Sequence, residues 1–381
     1  MSDRYYFDHN ATTPVSPEVF QAMAPVLTEV FGNASSIHSF GQHARKLLDD
    51  ARRDVAALIG EGIDATSKEI VFTSGGTESD NTALFGFGRQ GHVITTSVEH
   101  PAILQAAAQL PSVTVVPVDG NGLVNPDDVR RAIRPRTKLI SVMHVNNELG
   151  VIQPIEDIAK IAHDEGILFH SDGVQAPGKI PVDVKKLGAD LYSLSAHKIY
   201  GPKGVGALYV RKDTPLPPLI YGGPHENKLR AGTENVAGAV GFGRAARWIV
   251  ENGAAEAGRL AALRDRLEQA ILDRVPDAHV NGAGAPRVPN TSNMRFDGID
   301  SEPLLIALDL RGFAVSSGSA CSSGATEPSH VLAAIGLTRE QARSSVRFSL
   351  GRSNAVGQVD ALIEAVAQVV AHLRKLAPAY A

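Results

Sequence analysis

Cysteine is nearly absent. The 381-residue chain has one, Cys321, which excludes an intrachain disulfide and a multi-cysteine metal cage. Strong charge of either sign is absent too: the formal net charge is −4, so nothing global in the chain invites nucleic acid or an anionic membrane as a partner. No apolar run approaches membrane-spanning length, and the opening MSDRYYFDHNATTPV has neither the basic start nor the apolar centre of a signal peptide. Repeats, low-complexity blocks and charge runs are missing. So is a G-x-G-x-x-G after the first strand of the α/β region, which argues against a nicotinamide-dependent dehydrogenase. The expectation is a cytoplasmic protein with no nucleic-acid and no membrane partner.

A hydrophobic fraction of 43% and a charged fraction of 20% are those of an ordinary globular protein, and the length allows two or three domains. From about residue 68, short β-branched runs alternate with helical patterns. The runs are EIVFT (69–73), HVITT (92–96), VTVVPV (113–118), KLISVMH (138–144), ILFHS (167–171), ADLYSLS (189–195) and GVGALYV (204–210). Helices are expected at 127–133 and 155–164 between them. This pattern predicts an α/β fold with a largely parallel sheet covered on both faces. Residues 213–235 read as functional loop, followed by a long helix at 236–274 with an interruption near Asn252-Gly253. The remainder, closing on a helix at 356–375, reads as a smaller α+β domain with its boundary near residue 255.

Ligands of open α/β sheets bind beyond the carboxyl ends of the strands, and there this sequence concentrates its unusual polar residues. EIVFT runs into Ser74-Gly75-Gly76-Thr77-Glu78-Ser79, HVITT into Ser97-Val98-Glu99-His100, and KLISVMH into Asn146-Asn147-Glu148. ILFHS runs into Asp172-Gly173-Val174-Gln175, and ADLYSLS into His197-Lys198. Taken singly, each has a plain explanation. SGGTES is a glycine turn with a helix cap, or a cradle in which backbone N–H groups and Thr77 meet an anion. It lacks Walker-A spacing and a lysine, which disfavours a nucleoside triphosphate. Asp172 is an N-cap or an answered buried charge. Lys198 is a solvated loop lysine or a chemical tool, and His100 a core histidine or a stacking ring.

Together they match pyridoxal 5′-phosphate. Its aldehyde needs a lysine amine, its ring nitrogen an aspartate that keeps it protonated, its phosphate a set of donors, and its ring a flat partner. Lys198, Asp172, the turn at 74–79 with His197, and His100 supply those in turn.

The blocks YFDHNATTPV, GNASSIH, FTSGGTESDN, EHPAIL, HVNNELGVIQPI, HSDGVQAPGKIPVD, SLSAHKIYGPKGVGALYVR, RAGTENV and SSGSACSSGATEPSHVL span almost the whole chain. In them the sequence resembles the cysteine desulfurases of the NifS/IscS-like branch, in the class-V aminotransferase group of fold-type-I pyridoxal-phosphate enzymes. The resemblance implies a large cofactor-binding domain at 16–254 with a mostly parallel seven-stranded sheet. It implies a small domain from 1–15 and 255–381 that carries a mobile cysteine loop. Lys198 would be the covalent anchor, and His100 would stack on the ring and assist proton transfer. Asp172 would pair with the ring nitrogen and Gln175 with the ring hydroxyl. Gly76, Thr77, Ser195 and His197 would hold the phosphate, joined by Thr233 from the partner subunit of a homodimer. Asn147 and Arg347 would bind the substrate carboxylate. Arg347 has local support, because alternation in SSVRFSLG separates it, with Ser345 and Ser349, from Val346, Phe348 and Leu350. The alternative is an arginine on a solvated strand face.

A lone cysteine is most often a small buried apolar residue. The serines, glycines and alanines around Cys321 build no core and suit a segment that carries a thiolate. The resemblance implies that Lys198 removes the α-proton of L-cysteine and that Cys321 takes the sulfur, leaving L-alanine and a persulfide. The sulfur would pass to iron–sulfur cluster assembly or another acceptor, such as a scaffold protein, with Cys321 as a transient iron–sulfur ligand. A class-V aminotransferase needs no thiol, selenocysteine lyase is closer chemistry, and a non-catalytic scaffold would have no need of Lys198, Asp172, His100 and Cys321.

Overall fold

The computed structural model describes residues 4–60, 69–318 and 328–376. A two-residue strand, β1 (Tyr5–Tyr6), precedes helices α1 (Pro17–Glu29) and α2 (Ser39–Leu58). Strands and helices then alternate as β2 (Ile70–Thr73), α3 (Gly76–Gly88), β3 (His92–Thr96), α4 (Pro101–Ala107), β4 (Val113–Val116), α5 (Pro126–Ala132) and β5 (Thr137–Ser141). The series ends with α6 (Ile155–Asp164), β6 (Leu168–Asp172), β7 (Leu191–Ser195) and β8 (Gly206–Val210). Every expected strand forms, with small shifts at the ends.

These strands make one sheet in the order β2-β8-β7-β6-β5-β3-β4, in which β8 alone runs antiparallel to its neighbours. Strands β2, β3, β7 and β8 are buried at every position, as a sheet sandwiched between helices requires. Helix α6 shows how the cover is made: Ile155, Ile158, Ala159, Ile161 and Ala162 repeat at helical spacing and are buried together.

Helix α7 (Val236–Arg274) runs 39 residues without a break, so the expected interruption at Asn252-Gly253 does not occur. One glycine costs a helix only about 1 kcal/mol, and Gly253 is buried close to Ile249. The first part of α7 packs Ala239, Phe242, Ala245 and Ala246 into the core of the large sheet. Its later turns put Leu260, Leu263, Leu267 and Ile271 into a second core.

That second core is built by β9 (Ala278–Val280), β10 (Thr291–Phe296), α8 (Ser301–Leu310), β11 (Phe313–Ala314), β12 (Ser345–Ser349) and α11 (Val356–Leu376), while α9 (His330–Ala334) and α10 (Arg339–Arg343) put Val331, Leu332 and Ala342 into a separate cluster with Val98, Met143, Leu149 and Val151. Strands β12, β10 and β9 form an antiparallel sheet, while β1 pairs in parallel with β11 and brings Phe7 into this core. By length and composition α11 is apolar enough to cross a membrane, which corrects the expectation that no segment approaches that length. Its apolar residues have a place inside the fold: Val359, Leu362, Ile363, Val366, Val369 and Val370 are buried in the second core.

Candidate active site

The carboxyl ends of β2, β3, β5, β6 and β7 open on one cavity of about 360 Å³. It is lined by ten of the expected site residues: Gly76, Thr77, His100, Asn147, Asp172, Gln175, Ser195, His197, Lys198 and Arg347. Residues 120 apart in sequence meet there because parallel strands all end on the same rim.

One region is rich in donors. Strand β2 ends at Thr73, and the chain turns through Gly75 into α3, whose first residues are Gly76 and Thr77. A side chain at Gly76 has no room, since an added Cβ would lie 2.7 Å from Val174 Cγ2. Ser195 closes β7, and His197 and Lys198 follow in a single 3-10 turn. A neighbouring hollow of about 340 Å³ shares Gly76, Thr77, Ser195 and His197 and adds Lys203. Helix N-terminus, hydroxyls and cations gathered this way favour an anion. Burial and then the charges of Lys198 and Lys203 push the His197 pKa down to about 4, so its ring is neutral; its Nδ1 lies 3.1 Å from Thr12 Oγ1.

Another region is acidic. Asp172 ends β6, is buried, and accepts a hydrogen bond from Val174 N at 2.9 Å. Burial raises its pKa, and the charges of His100 and Lys198 pull the other way. Asp80, on α3, lines the same cavity, and its Oδ1 has no hydrogen-bond partner. Burial and the charge of Asp172 hold its carboxyl well above the usual range. His170 supplies no countercharge: it sits between Ser141 Oγ and Ser193 Oγ, and burial drops its pKa to about 3. Two buried carboxyls thus share one side of the cavity, an arrangement that favours a cationic group there.

His100 is the N-cap of α4. Its Nδ1 accepts from Ala102 N at 3.1 Å, which leaves the ring proton on Nε2 and fixes the ring. Burial lowers its pKa. Lys198 Nζ donates to Asn10 O at 2.5 Å and to Ala11 O at 2.8 Å, so the amine is held by the turn that follows β1. Gln175 Nε2 donates to the same Asn10 oxygen at 2.9 Å.

Arg347 is 1% exposed, which rules out a solvated strand face. Its NH2 donates to Asp8 Oδ1 at 2.6 Å and its NH1 to Asn147 O at 3.0 Å, while Nε is buried without a partner. Glu148, beside Asn147, accepts from Ser329 Oγ at 2.6 Å.

Two expected residues are not placed with the others. Thr233 is exposed and does not line the cavity. Cys321 lies outside the described residues, as does any iron ligation by it; among the described residues no group of His, Cys, Asp and Glu is arranged for a metal. Asn10, Asp80, Lys179 and Asp8 are site residues that the strand-end reading missed. Asn10 and Asp8 stand inside the block YFDHNATTPV, whose polar residues have no chemistry until the fold brings them to Lys198 and Arg347.

Residues 5–362 match the family model for aminotransferase class V. The chain belongs to this family. It is 46% identical to a cysteine desulfurase IscS of Dictyoglomus turgidum over 99% of this chain and 97% of that one. Among solved structures it is similar to a NifS-like protein from Rickettsia africae (34% identity, TM-score 0.89, 96% of this chain and 99% of that one). A second is SspA in complex with cysteine (38% identity, TM-score 0.80, 91% and 98% of the two chains). Class-V members are pyridoxal-phosphate enzymes, and this chain is one. The cavity fits the cofactor on its own terms: an amine at 198, a buried Asp172 carboxyl beside an Asp80 oxygen with no hydrogen-bond partner, and an anion cradle that a Cβ at position 76 would spoil.

Proposed function

We propose that the protein is a pyridoxal-phosphate-dependent cysteine desulfurase that converts L-cysteine to L-alanine and receives the sulfur on Cys321. The observation that carries the reading is one cavity holding the Lys198 amine, the buried Asp172 carboxyl and the donor-rich start of α3. Gly76, Thr77, Ser195 and His197 would hold the phosphate, Asp172 the ring nitrogen and Gln175 the ring oxygen. The bound cofactor supplies an electron sink that makes the substrate α-proton removable. Lys198 Nζ, aimed by two backbone carbonyls, is the base that takes this proton and returns it. His100, with its pKa lowered by burial and its ring fixed by the hydrogen bond from Ala102 N, steers protons on its Nε2 side.

Arg347 and Asn147 would receive the substrate carboxylate, with the guanidinium oriented by Asp8. Gly318 lines the cavity only three residues before Cys321, a stretch of at most about 10 Å of chain. In this reading the Cys321 thiolate is the nucleophile toward the substrate sulfur. Its attack breaks the substrate C–S bond and forms an S–S bond; the thiol proton of the substrate ends on the product methyl carbon. The products are alanine and a Cys321 persulfide, which donates to iron–sulfur cluster assembly or another acceptor. A lone thiol in this position favours this reaction over transamination. Thr233, exposed in the single chain, suits a homodimer in which it completes the partner's site.

The test is to give the purified protein L-cysteine and measure alanine and sulfide with and without reductant. Cys321→Ser is expected to keep the cofactor absorbance and lose sulfide release by at least about a hundredfold. Full sulfide release by that variant would remove Cys321 from the reaction.

A further inference from the structure

Lys179 is partly buried against two residues that line the cavity, Asn10 and Gln175, and its amine serves no step above. Nζ donates to Gln175 Oε1 and, at 3.0 Å, to Asn10 Oδ1. Among the described residues no carboxylate pairs with it. Burial, then the charges of Lys198 and Arg347, push its amine well below the usual lysine range. A lysine held against two amide oxygens rather than an acid is an orienting device.

We propose that Lys179 is a positioning residue for the cofactor site: by donating to Gln175 Oε1 and Asn10 Oδ1 it fixes which way both amides face. The two ends of an amide have nearly the same shape, so only their neighbours decide the orientation. With Oε1 committed to Lys179, the Gln175 nitrogen must lie toward Asn10 O, to which it donates at 2.9 Å. A reversed amide would set N–H against an amine donor and oxygen against a carbonyl. One N–H of Gln175 then remains for an oxygen of the bound cofactor ring. Asn10 obeys the same rule: its Oδ1 also accepts from Asn290 Nδ2 at 3.1 Å, and its amide nitrogen donates to Thr291 Oγ1 at 2.8 Å and Asn147 O at 3.1 Å. Because Asn10 O also accepts from Lys198 Nζ, Lys179, Gln175, Asn10 and Lys198 are one network. The orientation holds whether Lys179 is charged or neutral, since even the neutral amine keeps two N–H donors for two acceptors.

The proposal rests on pyridoxal phosphate occupying the cavity, and its test reads the cofactor rather than turnover. The pH midpoint of the bound cofactor's absorbance and the affinity of the cofactor-free protein for pyridoxal phosphate are measured for K179M, Q175A, the double variant and K179R. Loss of one N–H donor to an anionic ring oxygen is expected to raise the midpoint in K179M by about one pH unit. The double variant is expected to match Q175A alone, because Lys179 acts through Gln175. K179R, which restores donors, is expected to fall near the wild type. If K179M does not fold, K179Q makes the same comparison, with a smaller rise expected. An unchanged midpoint overturns the proposal. So does a shift that persists at full size in the Q175A background, which would mean a direct charge effect. A wild type that binds no aldehyde would instead bring down the cofactor reading itself.

Discussion

Glu99 is fully enclosed, with Oε1 accepting from Thr96 Oγ1 at 2.7 Å and from Met143 N at 3.0 Å, and with Oε2 unpartnered. Burial raises its pKa to about 8. The sign of the consequence follows from linkage. A carboxyl whose pKa is higher in the folded protein than in the unfolded chain stabilises fully below the unfolded pKa of about 4.5. That contribution is lost as pH rises through about 8. Glu99→Gln keeps an oxygen for Thr96 and Met143 and removes the titration. The stability of the wild type relative to this variant is therefore expected to fall by a few kcal/mol between pH 5 and pH 8. Urea unfolding of both proteins across that range measures it, and parallel profiles would show that Glu99 does not carry a raised pKa.

Gly76 makes the first turn of α3 a cradle, and the constraint belongs to the element pair rather than to one residue. An added methyl would lie 2.7 Å from Val174 Cγ2, on the turn after β6. Gly76→Ala is expected to weaken cofactor binding about tenfold, or about 1.4 kcal/mol. Val174→Ala in the same chain should recover most of it, as an equilibrium titration with pyridoxal phosphate would record. Failure of the second substitution to rescue would place the cost elsewhere in α3. At this scale much was legible in the sequence. β-branched runs buried on both faces announce strands, and polar residues beyond their carboxyl ends announce a rim. What escaped was carried by tertiary approach. Asn10 meets Lys179 and Lys198 across 169 and 188 positions, and no local pattern marks such a pairing. The break expected in α7 and the apolarity of α11 were misjudged for one reason: burial in a core lets a helix keep a glycine and demands that another be apolar.

At the scale of the whole molecule, the proposed homodimer asks for a surface that one chain leaves uncovered. Phe20, Leu27, Phe31, Ile37 and Phe40, on α1, on α2 and between them, are 62%, 65%, 78%, 93% and 56% exposed. Apolar groups so concentrated mark an interaction face, and in the proposed homodimer a second copy of the chain would cover it and deliver Thr233. Mass alone would report association of two 40.2 kDa chains without saying whether sites are shared. Mixing two inactive variants does say so. In a dimer of one Lys198→Ala chain and one Thr233→Ala chain, threonine supplied across the interface leaves one site with both groups intact and the other with neither. Threonine acting within its own chain leaves each site with one defect. After co-refolding, cross-supply predicts that about half the chains form mixed dimers, each with one working site, so about a quarter of wild-type activity returns. No recovery, in a preparation where mixed dimers are verified by differential tags, would confine each active site to its own chain.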